Sequence, residues 1–100
     1  MSARDDRERP LRWTFRAARD LLFIERYYAE FGRATADRVV GSILSAASIL
    51  DRHPLIGIKG KRPRTRHCVV TGYPYTIVDR VRRFEVQILR VLHQSRRYFN

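Results

Sequence analysis

The sequence predicts an α+β fold: an antiparallel helical hairpin packed on one face of a small, mainly antiparallel sheet, in the order βααβββ. Three observations predict it. Two apolar stripes with helical 4, 3, 4, 3 spacing run from Ala17 to Phe31 and from Ala36 to Leu50. Three short runs of β-branched and aromatic residues follow from Arg66 to Leu92, separated by turn residues. A brief alternating run, Leu11-Arg12-Trp13-Thr14-Phe15, precedes both. Strands gathered after a helical pair leave the helices on a single sheet face, with the other face partly open.

Each element has its own local reason. Residues 1–9, MSARDDRER, mix both charges with almost no apolar side chain and are expected to form a disordered tail, leaving residues 10–100 as one domain. In the run opened by Pro10, Leu11, Trp13 and Phe15 share one side of a strand, and Trp13 is expected in the core. Ala17, Leu21, Ile24, Tyr28 and Phe31 then mark an amphipathic helix that Thr14 can cap and Gly32 can end. Ala36, Val40, Ile43, Ala47 and Leu50 mark a second helix, stopped by His53-Pro54. Gly41 within it implies a close helix approach, since glycine otherwise costs a helix up to about 1 kcal/mol. Residues 55–65, LIGIKGKRPRT, are too broken for a regular element and read as a loop. Arg66–Thr71, Tyr75–Val81 and Phe84–Leu92 should pair as an antiparallel meander through the turns Gly72-Tyr73-Pro74 and Arg82-Arg83.

Composition narrows the function. The 100 residues carry 21 Lys+Arg against 10 Asp+Glu, a formal net charge of +11. Up to Asp51 there are 9 basic and 8 acidic residues; after it there are 12 basic and 2 acidic. The field therefore sits on the second half, and 19 of the 21 cations are Arg, whose planar fork grips phosphate or carboxylate oxygens in pairs. A lone Cys68 makes no intrachain disulfide, and no apolar run is long enough to span a bilayer, so a cytoplasmic location away from membranes is expected. Cys68 alternates with Val70 and reads as a small hydrophobe, and Tyr73 and Tyr75 as packing residues. His53, His67 and His93 are too scattered for a metal site, and no cofactor is expected.

Particular stretches carry a resemblance. Asp20-Leu21-x-x-Ile24 with Tyr27-Tyr28, Ala36-Asp37-Arg38-Val39-Val40 and His53-Pro54-Leu55-Ile56-Gly57 come in that order. They are followed by Arg66-His67-Cys68-Val69-Val70, Gly72-Tyr73-Pro74-Tyr75-Thr76-Ile77-Val78 and Val86-x-Ile88-Leu89-Arg90-Val91-Leu92-His93, then Arg96-Arg97. Over Leu11 to Tyr98 this text resembles the RelE/ParE superfamily of type II toxin-antitoxin toxins. The resemblance implies a growth-arresting, plasmid-stabilization type of toxin, neutralised by a cognate antitoxin in a heteromeric complex that can contain a toxin homodimer. Leu22, Phe23 and Tyr27 widen the first helical stripe. They either cover a larger core or form a docking patch, and the resemblance makes them antitoxin-binding candidates.

The superfamily divides into ribosome-dependent mRNA endonucleases, which act on message in the ribosome, and poisons of DNA gyrase. On the nuclease side, Arg66, Arg90 and Arg97 are candidates to hold the phosphate, His93 to act as acid or base, and Tyr98 to donate a proton or stack. The RelE-type pattern, however, places a cation three positions before the Gly-Tyr turn, where this chain has Val69. That difference favours the ParE-like side, for which no catalytic constellation is required. The basic segment supplies target or nucleic-acid contacts through Lys59, Lys61, Arg62, Arg64 and Arg66, with Arg96 and Arg97 beyond it. A third reading is a non-enzymatic nucleic-acid-binding module that uses the basic half as a phosphate track; no helix-turn-helix or zinc spacing supports base reading.

Overall fold

The computed structural model describes residues 7–95. Two helices lie on one face of a five-stranded mixed sheet of order β1-β5-β4-β3-β2. The elements are β1 (Leu11–Trp13), α1 (Phe15–Ala29), α2 (Arg33–Ser48), a 3-10 turn (Ile49–Asp51), β2 (Ile58–Lys59), β3 (Thr65–Val69), β4 (Tyr75–Val81) and β5 (Val86–His93).

Thr14 ends β1 and starts α1: its Oγ1 accepts the Ala17 N–H at 3.2 Å while its own hydroxyl donates to the Ile88 carbonyl at 2.9 Å. The turn into the helix comes earlier than the alternation implies. Phe15 opens α1 and is 80% exposed instead of joining the side of Leu11 and Trp13, which pack against the core. Ala17 and Ile24 are buried, with Leu21 and Tyr28 half-buried beside them. Gly32 joins the helices at φ +114°, a left-handed backbone that a side chain rarely adopts.

In α2 the buried residues are Ala36, Val39, Ile43 and Ala47, with Leu50 continuing the line into the 3-10 turn. Val39, not Val40, holds the seam. Either fits a 3.6-residue period, and packing against α1 and the sheet selects the phase. Gly41 also departs from expectation: a methyl group built on it meets no heavy atom within 4 Å, so no close helix approach requires it. Gly41→Ala should therefore raise stability by about 0.5–1 kcal/mol, read as a higher denaturation midpoint. A lower midpoint would count against this account.

The sheet closes in an order that no single strand announces. β3, β4 and β5 form the expected antiparallel meander, and β1 adds parallel to β5 through Leu11↔Val86 and Trp13↔Ile88. Within the segment expected to be loop, Ile58 and Lys59 pair antiparallel with His67 and Arg66 as the short edge strand β2. Phe84 lies in the preceding turn, 74% exposed, and β5 starts at Val86. Between Val78↔Arg90 and Asp79↔Ile88 the register skips Leu89, a bulge that bends β5 where β1 ends.

Beyond that point β5 is itself the sheet edge, and Asp20 of α1 covers it. The Asp20 carboxylate accepts the Val91 N–H at 2.9 Å and two bonds from Arg90 at 2.7 and 3.1 Å. The tail expected over residues 1–9 is docked at its described end. Arg9 is 3% exposed, its N–H donates to the Asp51 carbonyl and its guanidinium to the Arg83 carbonyl. Residues 1–6 lie outside the described residues. A single apolar cluster joins Ala17, Ile24, Val39, Ile43 and Leu50 to Ile77, Val86, Ile88 and Val91, and fixes every surface described below.

Candidate functional site

Strand alternation divides the basic half between two surfaces. Thr65 and His67 of β3 face away from the helices, together with Val78 and Arg80 of β4, whereas Arg66 and Asp79 pair on the helix side. The face away from the helices bears a groove of about 860 Å³ that includes Lys61, Arg62, His67, Arg80 and Arg90 in its lining. Burial holds the His67 imidazole below the ordinary histidine pKa, so it is neutral at pH 7. Val69 follows on β3 and is 55% exposed.

Lys59, Arg64 and Arg66 lie elsewhere. With Arg7, Arg82 and Arg83 they line a second cavity of about 440 Å³ at the β2–β3 end of the sheet. Arg64 is the one non-glycine residue with a left-handed backbone among those described, at φ 64°. Such a conformation costs about 1–2 kcal/mol, and it is held here by the Val81 N–H donating to the Arg64 carbonyl at 2.9 Å.

A third surface is the outer side of α1. Leu22, Phe23 and Tyr27 are 44%, 51% and 60% exposed, which resolves their placement in favour of a surface patch. Phe23, Tyr27 and Phe31 follow at helical i, i+4 spacing; Tyr27 meets Phe31 edge-on at 5.6 Å, and the Arg19 guanidinium lies 5.4 Å from the Phe23 ring. Phe23 and Tyr27 also line a cavity of about 410 Å³ with Arg16, Arg90, Tyr75 and His93.

The described candidate catalytic residues converge only in part: Arg90 and His93 share one cavity, and Arg66 lies apart from them. Arg66 lines the second cavity, whereas Arg90 is engaged by Asp20 with only 21% of its side chain exposed. The His93 ring stands edge-on to Tyr75 at 5.5 Å, and its Nδ1 lies 2.8 Å from the Ser95 hydroxyl. Burial, reinforced by the neighbouring Tyr28 hydroxyl, pushes the Tyr75 pKa up and keeps the phenol protonated. Arg96, Arg97 and Tyr98 lie outside the described residues. Among the described residues no three His, Cys, Asp or Glu side chains group to hold a metal ion.

Sequence reasoning passed over His67, Arg80 and the Arg82-Arg83 turn as site residues. The alternation of Thr65, Arg66, His67 and Cys68 already separates His67 from Arg66, and that signal was available. Asp79 carried no such signal. It is 0% exposed, neither carboxylate oxygen has a hydrogen-bond partner among the described residues, and Arg66 stands opposite it in the register. Burial pushes its pKa up to about 7 against the opposing pull of Arg66. Burial and the Asp79 charge in turn raise the thiol pKa of the adjacent Cys68.

Comparison with known proteins agrees with this architecture. Residues 11–98 match the family model described as the ParE toxin of the type II toxin-antitoxin system parDE. The Y4kP protein of Sinorhizobium fredii is 36% identical over 88 residues, spanning 88% of this chain and 91% of that protein. Among solved structures, the chain is similar to one from the chromosomal ParDE toxin-antitoxin system of P. aeruginosa, with TM-score 0.80 and 28% identity, covering 86% of this chain and 96% of that one. A chain of the RelBE2 toxin-antitoxin complex from Mycobacterium tuberculosis has the same fold at TM-score 0.62 and 22% identity, covering 90% and 95%.

Proposed function

Since this chain belongs to the ParE toxin family of type II toxin-antitoxin systems, we propose that it arrests growth by poisoning DNA gyrase and is held inactive by an antitoxin docked on α1. The observation that carries the choice of target is that the described groups a ribonuclease would need are engaged by other side chains or set apart. A 2′-hydroxyl attack on phosphate requires a base, an acid and cations around one phosphorus atom. Here Arg90 and His93 share a cavity, but Arg90 is committed to Asp20 and His93 packs on Tyr75, and Arg66 belongs to a different cavity. Val69 presents an apolar surface where the RelE-like pattern has a cation. A gyrase poison needs only a surface complementary to the enzyme–DNA complex, which a rigid basic sheet supplies.

Purified toxin should block gyrase supercoiling and trap cleaved DNA. Unchanged gyrase turnover at large toxin excess would overturn the reading. One placement favours the ribosome-dependent alternative: His67 is neutral and faces the groove lined by Lys61, Arg62 and Arg80, where it can serve as a general base. Programmed ribosomes assayed with the same preparation separate the two, because message cleavage that His67→Gln abolishes belongs to the nuclease alone. The antitoxin reading rests on the exposed aromatic ridge of α1 and the cations beside it, which suit an acidic amphipathic segment. Both targets imply action in the cytoplasm, and no described helix is long and apolar enough to cross a membrane.

A further inference from the structure

We infer that the cavity at the β2–β3 end is a separate site for a ligand bearing adjacent phosphate groups, distinct from the groove on the sheet face away from the helices. The inference goes beyond the gyrase reading and stands without it. Lys59, Arg64, Arg66, Arg82 and Arg83 bring five cations from three different segments to one concavity of about 440 Å³. None of the five has an ion pair with a described residue. Two carboxylates feel them, and neither competes for a ligand. Asp79 is sealed beneath the sheet opposite Arg66, and Glu85, near Arg82, already accepts from Arg12 at 3.2 Å and Gln87 at 2.6 Å.

The backbone that carries two of the cations is also held in place. The Arg64 carbonyl accepts the Val81 N–H, which ties the loop before β3 to the end of β4. The Arg83 carbonyl accepts from Arg7 and Arg9, which pins the opposite rim. Leu55 and Val81 supply apolar wall between the cations. Convergent guanidinium forks suit tetrahedral phosphate better than isolated carboxylates, because each fork meets two oxygens of one group and neighbouring forks meet the next. A cavity of this size holds a few linked phosphates with part of a nucleoside. The phosphates come either from a free nucleotide or from successive links of a nucleic-acid strand.

The test is calorimetric titration of the full chain with inorganic tripolyphosphate and with a short DNA oligonucleotide, at roughly 0.15 M salt to suppress diffuse attraction. Two paired variants separate the sites: Arg64→Gln with Arg82→Gln in this cavity, and Lys61→Gln with Arg62→Gln in the groove. Tripolyphosphate should bind one to one, and the first pair should weaken it about tenfold or more while the second leaves it within about twofold. DNA displaced by tripolyphosphate assigns the phosphates to a strand; tripolyphosphate binding without DNA binding assigns them to a free nucleotide. Absence of binding by both ligands, or equal losses in both paired variants, overturns the site. Displacement of tripolyphosphate by hexaglutamate at matched charge overturns the phosphate assignment and points to an acidic protein segment.

Discussion

Asp79→Asn should stabilise the protein at pH 8 by about 2–4 kcal/mol while changing little near pH 4. The sign follows from the raised pKa. Between its ordinary value of 3.8 and about 7 the folded protein keeps a proton on Asp79 that the unfolded chain has lost. Stability from this group is fully present below pH 3.8 and is lost as pH rises towards 7. A tenfold change in proton affinity is worth about 1.4 kcal/mol, so the rise from 3.8 to about 7 bounds the effect at roughly 4 kcal/mol. The unmet hydrogen bonds of the buried amide bring the expected gain below that bound. Denaturant unfolding of both proteins from pH 4 to 8 isolates the group, because every other titration is shared and cancels in the difference. An Asn variant less stable than the parent at pH 8 would mean that Arg66 outweighs burial.

The second large effect is expected on binding. Phe23→Ala combined with Tyr27→Ala should weaken the cognate antitoxin about a hundredfold or more, since exposed aromatic anchors carry roughly 2 kcal/mol or more each at interfaces. Both side chains are half exposed or more, so folding should suffer only by the loss of the Tyr27 edge contacts with Tyr28 and Phe31 and of the Phe23 contact with Arg19, about 1 kcal/mol each. Phe84→Ala is the control: that ring is 74% exposed, lies in the β4–β5 turn and stacks only with Arg83 among the ring contacts described. Unchanged antitoxin affinity in the double variant would remove α1 as the docking ridge.

The helices were legible because a helix writes its buried face into local spacing. Ala17, Leu21, Ile24 and Tyr28 needed no knowledge of the sheet, whereas the choice between Val39 and Val40 did. The meander was legible because turn residues bracket each run. The sheet edges were legible only in part: Ile58 and Lys59 have no period of their own, and Leu11–Trp13 reads as a strand but its parallel partner lies in β5, far along the chain. The site followed the same rule. Exposed Phe23 and Tyr27 stand out as a surplus on a helix already supplied with a core stripe. The basic segment looked like one patch because sequence proximity hides the alternation that sends Arg66 and His67 to opposite faces. Arg90 looked available because its partner Asp20 is 70 residues away.

That distance has a consequence for when the toxin comes into being. Thr14 and Ile88, 74 residues apart, are bonded where β1 turns into α1, and Val86, Ile88 and Val91 complete the cluster on which both helices rest. A ribosome that has delivered only the helical hairpin has delivered an amphipathic pair with its apolar side uncovered and no sheet to cover it. Non-local closure of this kind waits for the later strand. Folding is therefore a late event in the life of each chain.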